Sequence, residues 1–130
     1  MAFNCVVVTP EQQVLDQQCS QVVFPAHDGQ VGILTDRAPL LAKLGTGELK
    51  LDVVGGTKRS FFIDGGMAQM KDNKLTILTG EAVAVEDIDA ESARAAVAEA
   101  TARQATDPAA AEQRERELRR ARAMSELARR

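Results

Sequence analysis

The side chains that could do chemistry are few and scattered along this 130-residue chain. His27 is its only histidine, with Asp28 beside it and Cys19 upstream. That trio would suit a thiol nucleophile or a metal site. A tetrahedral metal site needs four converging ligands, or three and a water, and no second histidine supplies the set. His27 and Asp28-Gly29 are better read as turn residues. Cys5 and Cys19 lack CxxC spacing and read as two small buried or half-buried thiols in a reducing compartment. The carboxylates Glu86, Asp87 and Asp89 fall where the sequence period changes, which suits helix capping rather than acid–base work in a cleft. Gly45-Thr46-Gly47 has a passing likeness to phosphate-loop glycines, but GxxxxGK[ST] is absent and no βα unit follows. Arg114, Arg116, Arg119, Arg120 and Arg122 interleave with Glu112, Glu115 and Glu117. They form either a solvated helix laced with i,i+3 and i,i+4 pairs or a set of guanidinium forks for an acidic partner. Nucleic acid is disfavoured because all four Phe lie at or before Phe62 and there is no Trp or Tyr to stack on bases.

These residues must be positioned by short strands. FNCVVV at 3–8 and VLDQQCSQVVF at 14–24 alternate as strands, followed by Val31–Leu34, Glu48–Val54, Lys58–Asp64, Gly65–Met70, Leu75–Thr79 and Ala82–Glu86. Gly55-Gly56 and Lys71–Lys74 read as turns. About ten short antiparallel strands make a β-sandwich or flattened barrel, and no crossover helix fits between them. Leu49, Leu51 and Val53 share one face of their strand. At about Asp89 the period becomes helical. Asp89 caps a first helix, AESARAAVAEATARQA, and Thr106-Asp107-Pro108 ends it and opens a second, with Asp107 as N-cap and Pro108 at the first helical position. Leu118, Ala121, Met124 or Ser125, and Ala128 keep the apolar spacing of that second helix. The expected organisation is a sandwich over residues 1–87 and a two-helix hairpin over 88–130. Alanine seams bury little apolar area, so the hairpin is expected to be held loosely.

Charge follows the same division. Residues 1–87 carry seven basic and eleven acidic groups, whereas from Pro108 onward seven Arg stand against four Glu. A positive tip on an acidic chain favours an acidic protein partner or a phosphate-bearing ligand. The start MAFNCVVVTP carries neither a secretory nor a transit pattern, and no apolar stretch approaches the length of a membrane span. A free-standing β-sandwich enzyme or ligand-binding protein would need convergent polar groups in a concave site, and the sequence supplies no such set. A helical-tail adaptor is a third alternative.

Taken together, these pieces resemble the epsilon subunit of the rotary proton-translocating ATP synthase, bacterial type. The resemblance runs through VVVTPEQQVLD, the Pro25–Leu44 segment PAHDGQVGILTDRAPLLAKL, the Ser60–Val83 segment SFFIDGGMAQMKDNKLTILTGEAV, EDIDAESARAA and LRRARAMSEL. Its specific elements are Gly29-x-x-Gly32-Ile33-Leu34, Ala38-Pro39-Leu40 and Ile63-Asp64-Gly65-Gly66. The resemblance implies a non-catalytic central-stalk subunit that couples proton flux to ATP synthesis. Its sandwich would be held on the gamma subunit and touch the c-subunit ring through His27, Asp28, Gly29, Gln30 and Arg37. Its helical hairpin would restrain ATP hydrolysis, with Arg114, Arg116, Arg119, Arg120 and Arg122 meeting the alpha/beta catalytic hexamer. The implied location is the cytoplasmic face of the bacterial plasma membrane, reached only through the complex.

No metal and no required cofactor are implied. A nucleotide held weakly by the folded hairpin would meet Asp89, Arg94, Arg119 and Arg122. Three departures from the family pattern stand out. Arg37 occupies the place of a frequent histidine and does not titrate near neutrality. Gln30 replaces a frequent acid. Four residues separate Ile88-Asp89 from Arg94-Ala95, which turns Arg94 about half a turn from its place in the Ile/Leu-Asp-x-x-Arg-Ala motif.

Overall fold

The computed structural model describes residues 2–27, 29–34, 38–104 and 106–128. Among these, seven strands precede two helices: β1 (Phe3–Val8), β2 (Gln13–Ala26), β3 (Gly29–Leu34), β4 (Leu40–Val53), β5 (Lys58–Lys71), β6 (Lys74–Leu78) and β7 (Ala82–Ala84), a 3-10 turn at Val85–Asp87, α1 (Ala90–Ala102) and α2 (Pro108–Ala128). The chain divides into two compact units, Met1–Ala84 and Val85–Arg130.

In the first unit the strand order is β1-β6-β5-β4-β2-β3, with β7 on β5 and a β1–β2 pairing that closes the ring. The β-sandwich class expected from sequence is what forms. Three strands are 14 residues long, and two of them, β2 and β5, change a neighbour midway. The first half of β2 pairs with β1 and its second half with β3 and β4. β5 gives Phe61–Ile63 to β7 and Met67–Lys71 to β6. Counting each long strand as two segments beside the four short ones gives ten, in line with the about ten expected, although the sequence reads β2 as a single span. Two details differ from the sequence reading. The pairing of β1 with β6 is parallel, Asn4 opposite Lys74 through Val8 opposite Leu78. Leu40–Gly47, to which no strand was assigned, is the opening half of β4; its pattern was obscured because Leu41 points outward amid leucines that point in.

The β4–β5 ladder keeps one register from Leu40↔Met70 to Asp52↔Lys58, so bending, not slippage, carries this ribbon from one layer to the other. Both layers contribute to a core of Phe3, Cys5, Val7, Leu15, Phe24, Ile33, Leu49, Leu51, Phe61, Ile63, Met70, Leu75 and Ile77, among others. Val53, the third residue of the expected Leu49-Leu51-Val53 face, packs against that core half-buried. The turns fall as expected: Gly55 and Gly56 have φ of +106° and +92°, and Asp72 and Asn73 have φ of 52° and 60°.

In the second unit Asp89 caps α1, its Oδ1 accepting from Glu91 N at 3.0 Å and Ser92 N at 3.4 Å. Asp107 caps α2, accepting from Ala110 N at 2.7 Å, with Pro108 in the first helical position. Glu86 and Asp87, expected to share the capping role, stand exposed in the 3-10 turn. Ala93 and Ala100 are buried on α1, and Leu118, Ala121 and Leu127 on α2; Met124, Ser125 and Ala128 are half-buried. No described helix is long and apolar enough to cross a membrane.

Candidate docking surfaces

The first surface is the β2–β3 hairpin. Ala26 pairs with Gly29, leaving exposed His27 at the turn, and Gln30 is exposed opposite Pro25. The His27 N–H donates to the Lys43 carbonyl at 3.0 Å, which ties the turn to β4. Gly29 has φ +142° and nothing within 4 Å of a Cβ there, so its glycine answers backbone conformation, not crowding. The structure thus gathers His27, Gly29 and Gln30 in one hairpin. Asp28 and Arg37 lie outside the described residues.

A second surface, not anticipated from sequence, lies on the outer side of β4, β5, β6 and β1. Strand alternation turns Leu41, Met67 and Leu78 outward, 67%, 39% and 50% exposed. The register sets Lys43 opposite Met67, Met67 opposite Leu78, and Leu78 beside Val8, so the last three form a continuous apolar row, while Leu41 lies one row away opposite Gln69. A shallow groove of about 350 Å³ prolongs the row between Val8, Pro10 and Leu78. Lys71 and Lys74, paired across the β5–β6 turn, line a neighbouring groove with Gln69 and Thr76. Exposed leucine and methionine in contiguous positions mark a binding face more often than a solvated one. The available signal was alternation: Leu41, Met67 and Leu78 each sit one residue from a core side chain.

The third surface is the outer face of α2. The five arginines do not act together. Arg116, Arg119 and Arg122 are exposed, whereas Arg114 and Arg120 are half-buried. Arg114 donates to the Thr101 carbonyl at 3.0 Å, and Arg103 donates both to Glu99 at 3.2 Å and to Glu117 on α2. A groove of about 360 Å³ between the helices is lined by Ala96, Glu99, Ala100, Arg103, Glu117, Arg120 and Ala121. Asp89, Arg94, Arg119 and Arg122 do not line it. Asp89 is committed to its cap, and Arg94 pairs with Glu91 one turn earlier. The Ser92 hydroxyl, followed by the Ser92 and Glu91 backbone N–H groups, holds the Asp89 carboxyl below its ordinary pKa.

Among the described residues, no group of three or more His, Cys, Asp or Glu side chains converges as metal ligands would. The arrangement is one of surfaces, and comparison with known proteins agrees. The model of "ATP synthase, Delta/Epsilon chain, beta-sandwich domain" matches residues 2–85. The ATP synthase epsilon chain of Rhodopirellula baltica is 40% identical over 122 residues, 94% of this chain and 94% of its own length. The chloroplastic ATP synthase epsilon chain of Emiliania huxleyi is 42% identical over 101 residues, 78% of this chain and 77% of that one. A chain in the Euglena gracilis mitochondrial ATP synthase structure, OSCP/F1/c-ring in rotational state 1, superimposes with a TM-score of 0.87 at 26% identity, covering 96% of this chain and 80% of that chain. A chain in the Tetrahymena thermophila mitochondrial ATP synthase structure, central stalk/c-ring, shares the fold, with a TM-score of 0.76 at 15% identity, covering 96% and 95%.

Proposed function

Since this chain belongs to the ATP synthase epsilon-chain family, we propose that it docks on the gamma subunit through the Leu41, Met67 and Leu78 face. The subunit is non-catalytic. The observation that carries the reading is a sealed sandwich core beneath a contiguous apolar outer row, which favours a permanent protein partner over a diffusing ligand. Burying what remains exposed of these three side chains contributes roughly 1 kcal/mol each.

In this reading the His27–Gln30 hairpin faces the c-subunit ring. Its turn is tied to β4, so it offers backbone donors and acceptors at low ordering cost. The two-helix unit restrains ATP hydrolysis, presenting Arg116, Arg119 and Arg122 to acidic loops of the alpha/beta hexamer, while Arg114 holds the two helices together. The chain sits peripherally at the cytoplasmic face of a bacterial plasma membrane, carried there by the complex. No nucleotide is needed for this role.

The test is steady-state ATP hydrolysis by the cognate catalytic head, alone, with the full chain, or with residues 1–87, together with a gamma-binding measurement for both forms. The reading expects both forms to bind gamma and only the full chain to slow turnover. Failure of either form to bind gamma would remove the docking assignment. Binding by both with no suppression by either would leave coupling and remove restraint.

A further inference from the structure

One end of the apolar outer face is charged. Lys71 and Lys74 stand directly opposite each other at the β5–β6 turn, both exposed. Like charges so placed destabilise a ladder. Protection of a sheet edge does not explain them, because β5 lies between β4 and β6, and β6 between β5 and β1. Among the described residues, neither ammonium has a carboxylate within ion-pair distance.

Their surroundings are donors as well. Lys71, Lys74, Gln69 and Thr76 line one groove of about 310 Å³. Neither the Gln69 amide nor the Thr76 hydroxyl is hydrogen-bonded to another described residue, so both can donate into it. Asp72, in the turn, is the one acid among the described lining residues, and the groove stays net positive. This runs against the charge of the module. Residues 1–87 carry seven basic groups against eleven acidic ones, yet three of the seven, Lys43, Lys71 and Lys74, flank this one apolar row. Asp16 lies two strands away, opposite Val6.

We propose, resting on the docking proposed above, that Lys71 and Lys74 form a carboxylate-recognition site that takes an acidic side chain of gamma and fixes the direction in which gamma lies on the Leu41, Met67 and Leu78 face.

An apolar row by itself holds a partner without telling one direction along it from the other. A basic end breaks that symmetry. A carboxylate set in the groove meets two ammonium donors and two neutral ones, whereas the reversed pose presses apolar groups against the lysines. Four residues of β6 separate Lys74 from Leu78, ~13 Å at the rise of a strand, so gamma carries its acid about that far from the side chains that cover Leu78. Both lysines are exposed, so the pair acts on the rate and salt sensitivity of association, while the apolar row sets the lifetime of the complex.

The test is gamma binding by the unaltered full chain, by the double variant Lys71→Glu, Lys74→Glu, and by Leu78→Lys as the marker of apolar docking. The double variant is expected to bind at least tenfold more weakly at about 0.05 M NaCl, chiefly through slower association, and the unaltered chain to lose affinity towards about 0.5 M NaCl while the double variant does not. A carbodiimide, which condenses an ammonium and a touching carboxylate into an amide with loss of water, is expected to join Lys71 or Lys74 to an Asp or Glu of gamma. Full-strength binding by the double variant, with Leu78→Lys weakened, would overturn the lysine site and leave the docking face standing. Full-strength binding by both would overturn the face together with the site. Bound gamma that gives no cross-link from either lysine would also overturn the site, and because that measurement uses the unaltered chain it decides the matter even where a variant misfolds.

Discussion

Gly66 lies against the Leu78 backbone so closely that a Cβ at position 66 would stand 2.0 Å from the Leu78 carbonyl oxygen. The same residue has φ +117°, a conformation that side chains rarely adopt. Next to it, the Thr79 hydroxyl donates to the Gly65 carbonyl at 2.7 Å, and across the ladder Gly45 comes as near to the Ala26 carbonyl as its missing side chain allows, 2.8 Å for a built Cβ. The β4–β5 ribbon turns its corner between the layers by backbone contact at these points.

Gly66→Ala is therefore expected to cost about 3 kcal/mol or more, because neither Leu78 O nor the local φ can yield without moving β6. Gly80→Ala is the control, since nothing lies within 4 Å of a Cβ there and its φ is not in the strained range. Urea unfolding of both variants checks this; equal midpoints would show that the corner relaxes.

Leu41→Lys and Leu78→Lys are expected to weaken gamma binding tenfold or more while changing stability by less than ~0.5 kcal/mol. Both side chains are at least half exposed, so the folded chain loses little packing. Titration calorimetry against gamma, paired with thermal melting, separates docking from folding. Unchanged affinity in both variants would move the interface elsewhere.

Asp89 gives a pH dependence whose sign is fixed. Its folded pKa is depressed, chiefly by the Ser92 hydroxyl, so its contribution is fully present above the ordinary carboxylate pKa and is lost as pH falls through the depressed folded value. The expected outcome is a steeper acid loss of helical circular dichroism in the unaltered chain than in Asp89→Asn, which keeps a capping oxygen without titrating. Superimposable acid profiles would take the charge out of the cap.

The arginines of α2 divide into two classes with different readouts. Replacing Arg116, Arg119 and Arg122 with Ala should raise ATP hydrolysis by the assembled head while leaving helix content and gamma binding unchanged. Arg114→Ala should instead loosen the two-helix unit by roughly 1 kcal/mol, since it removes the hydrogen bond to Thr101 O. Loss of the exposed Arg103–Glu117 pair by Glu117→Gln should matter less, about 0.5 kcal/mol or below, and less still at high salt. Hydrolysis that rises with Arg114→Ala but not with the triple variant would reverse the roles of the two groups.

What the sequence determined by itself is local. Strand alternation put Leu49, Leu51 and Val53 on one face, Asp89 and Asp107 marked the helix starts, and Gly55-Gly56 marked a turn, because period and capping depend on neighbours a few residues away. The family motifs were legible for the same reason: they are runs of adjacent residues.

What only the tertiary structure decided depends on partners distant in sequence. That Lys58–Asp64 and Gly65–Met70 are one strand follows from β4 and β5 bending together through the sandwich in a single unbroken register. The parallel contact of β1 with β6 joins residues about seventy apart, which no local period encodes. Leu41, Met67, Leu78 and Val8 form one face only once four strands lie side by side, and Arg114 differs from Arg116 only once Thr101 is packed across from it. Lys58–Asp64 and Gly65–Met70, read from sequence as separate strands, are one unbroken strand that bends at Gly66, where it is pressed onto Leu78. Contacts that join remote segments are set by packing geometry, and that geometry exists only in the folded chain.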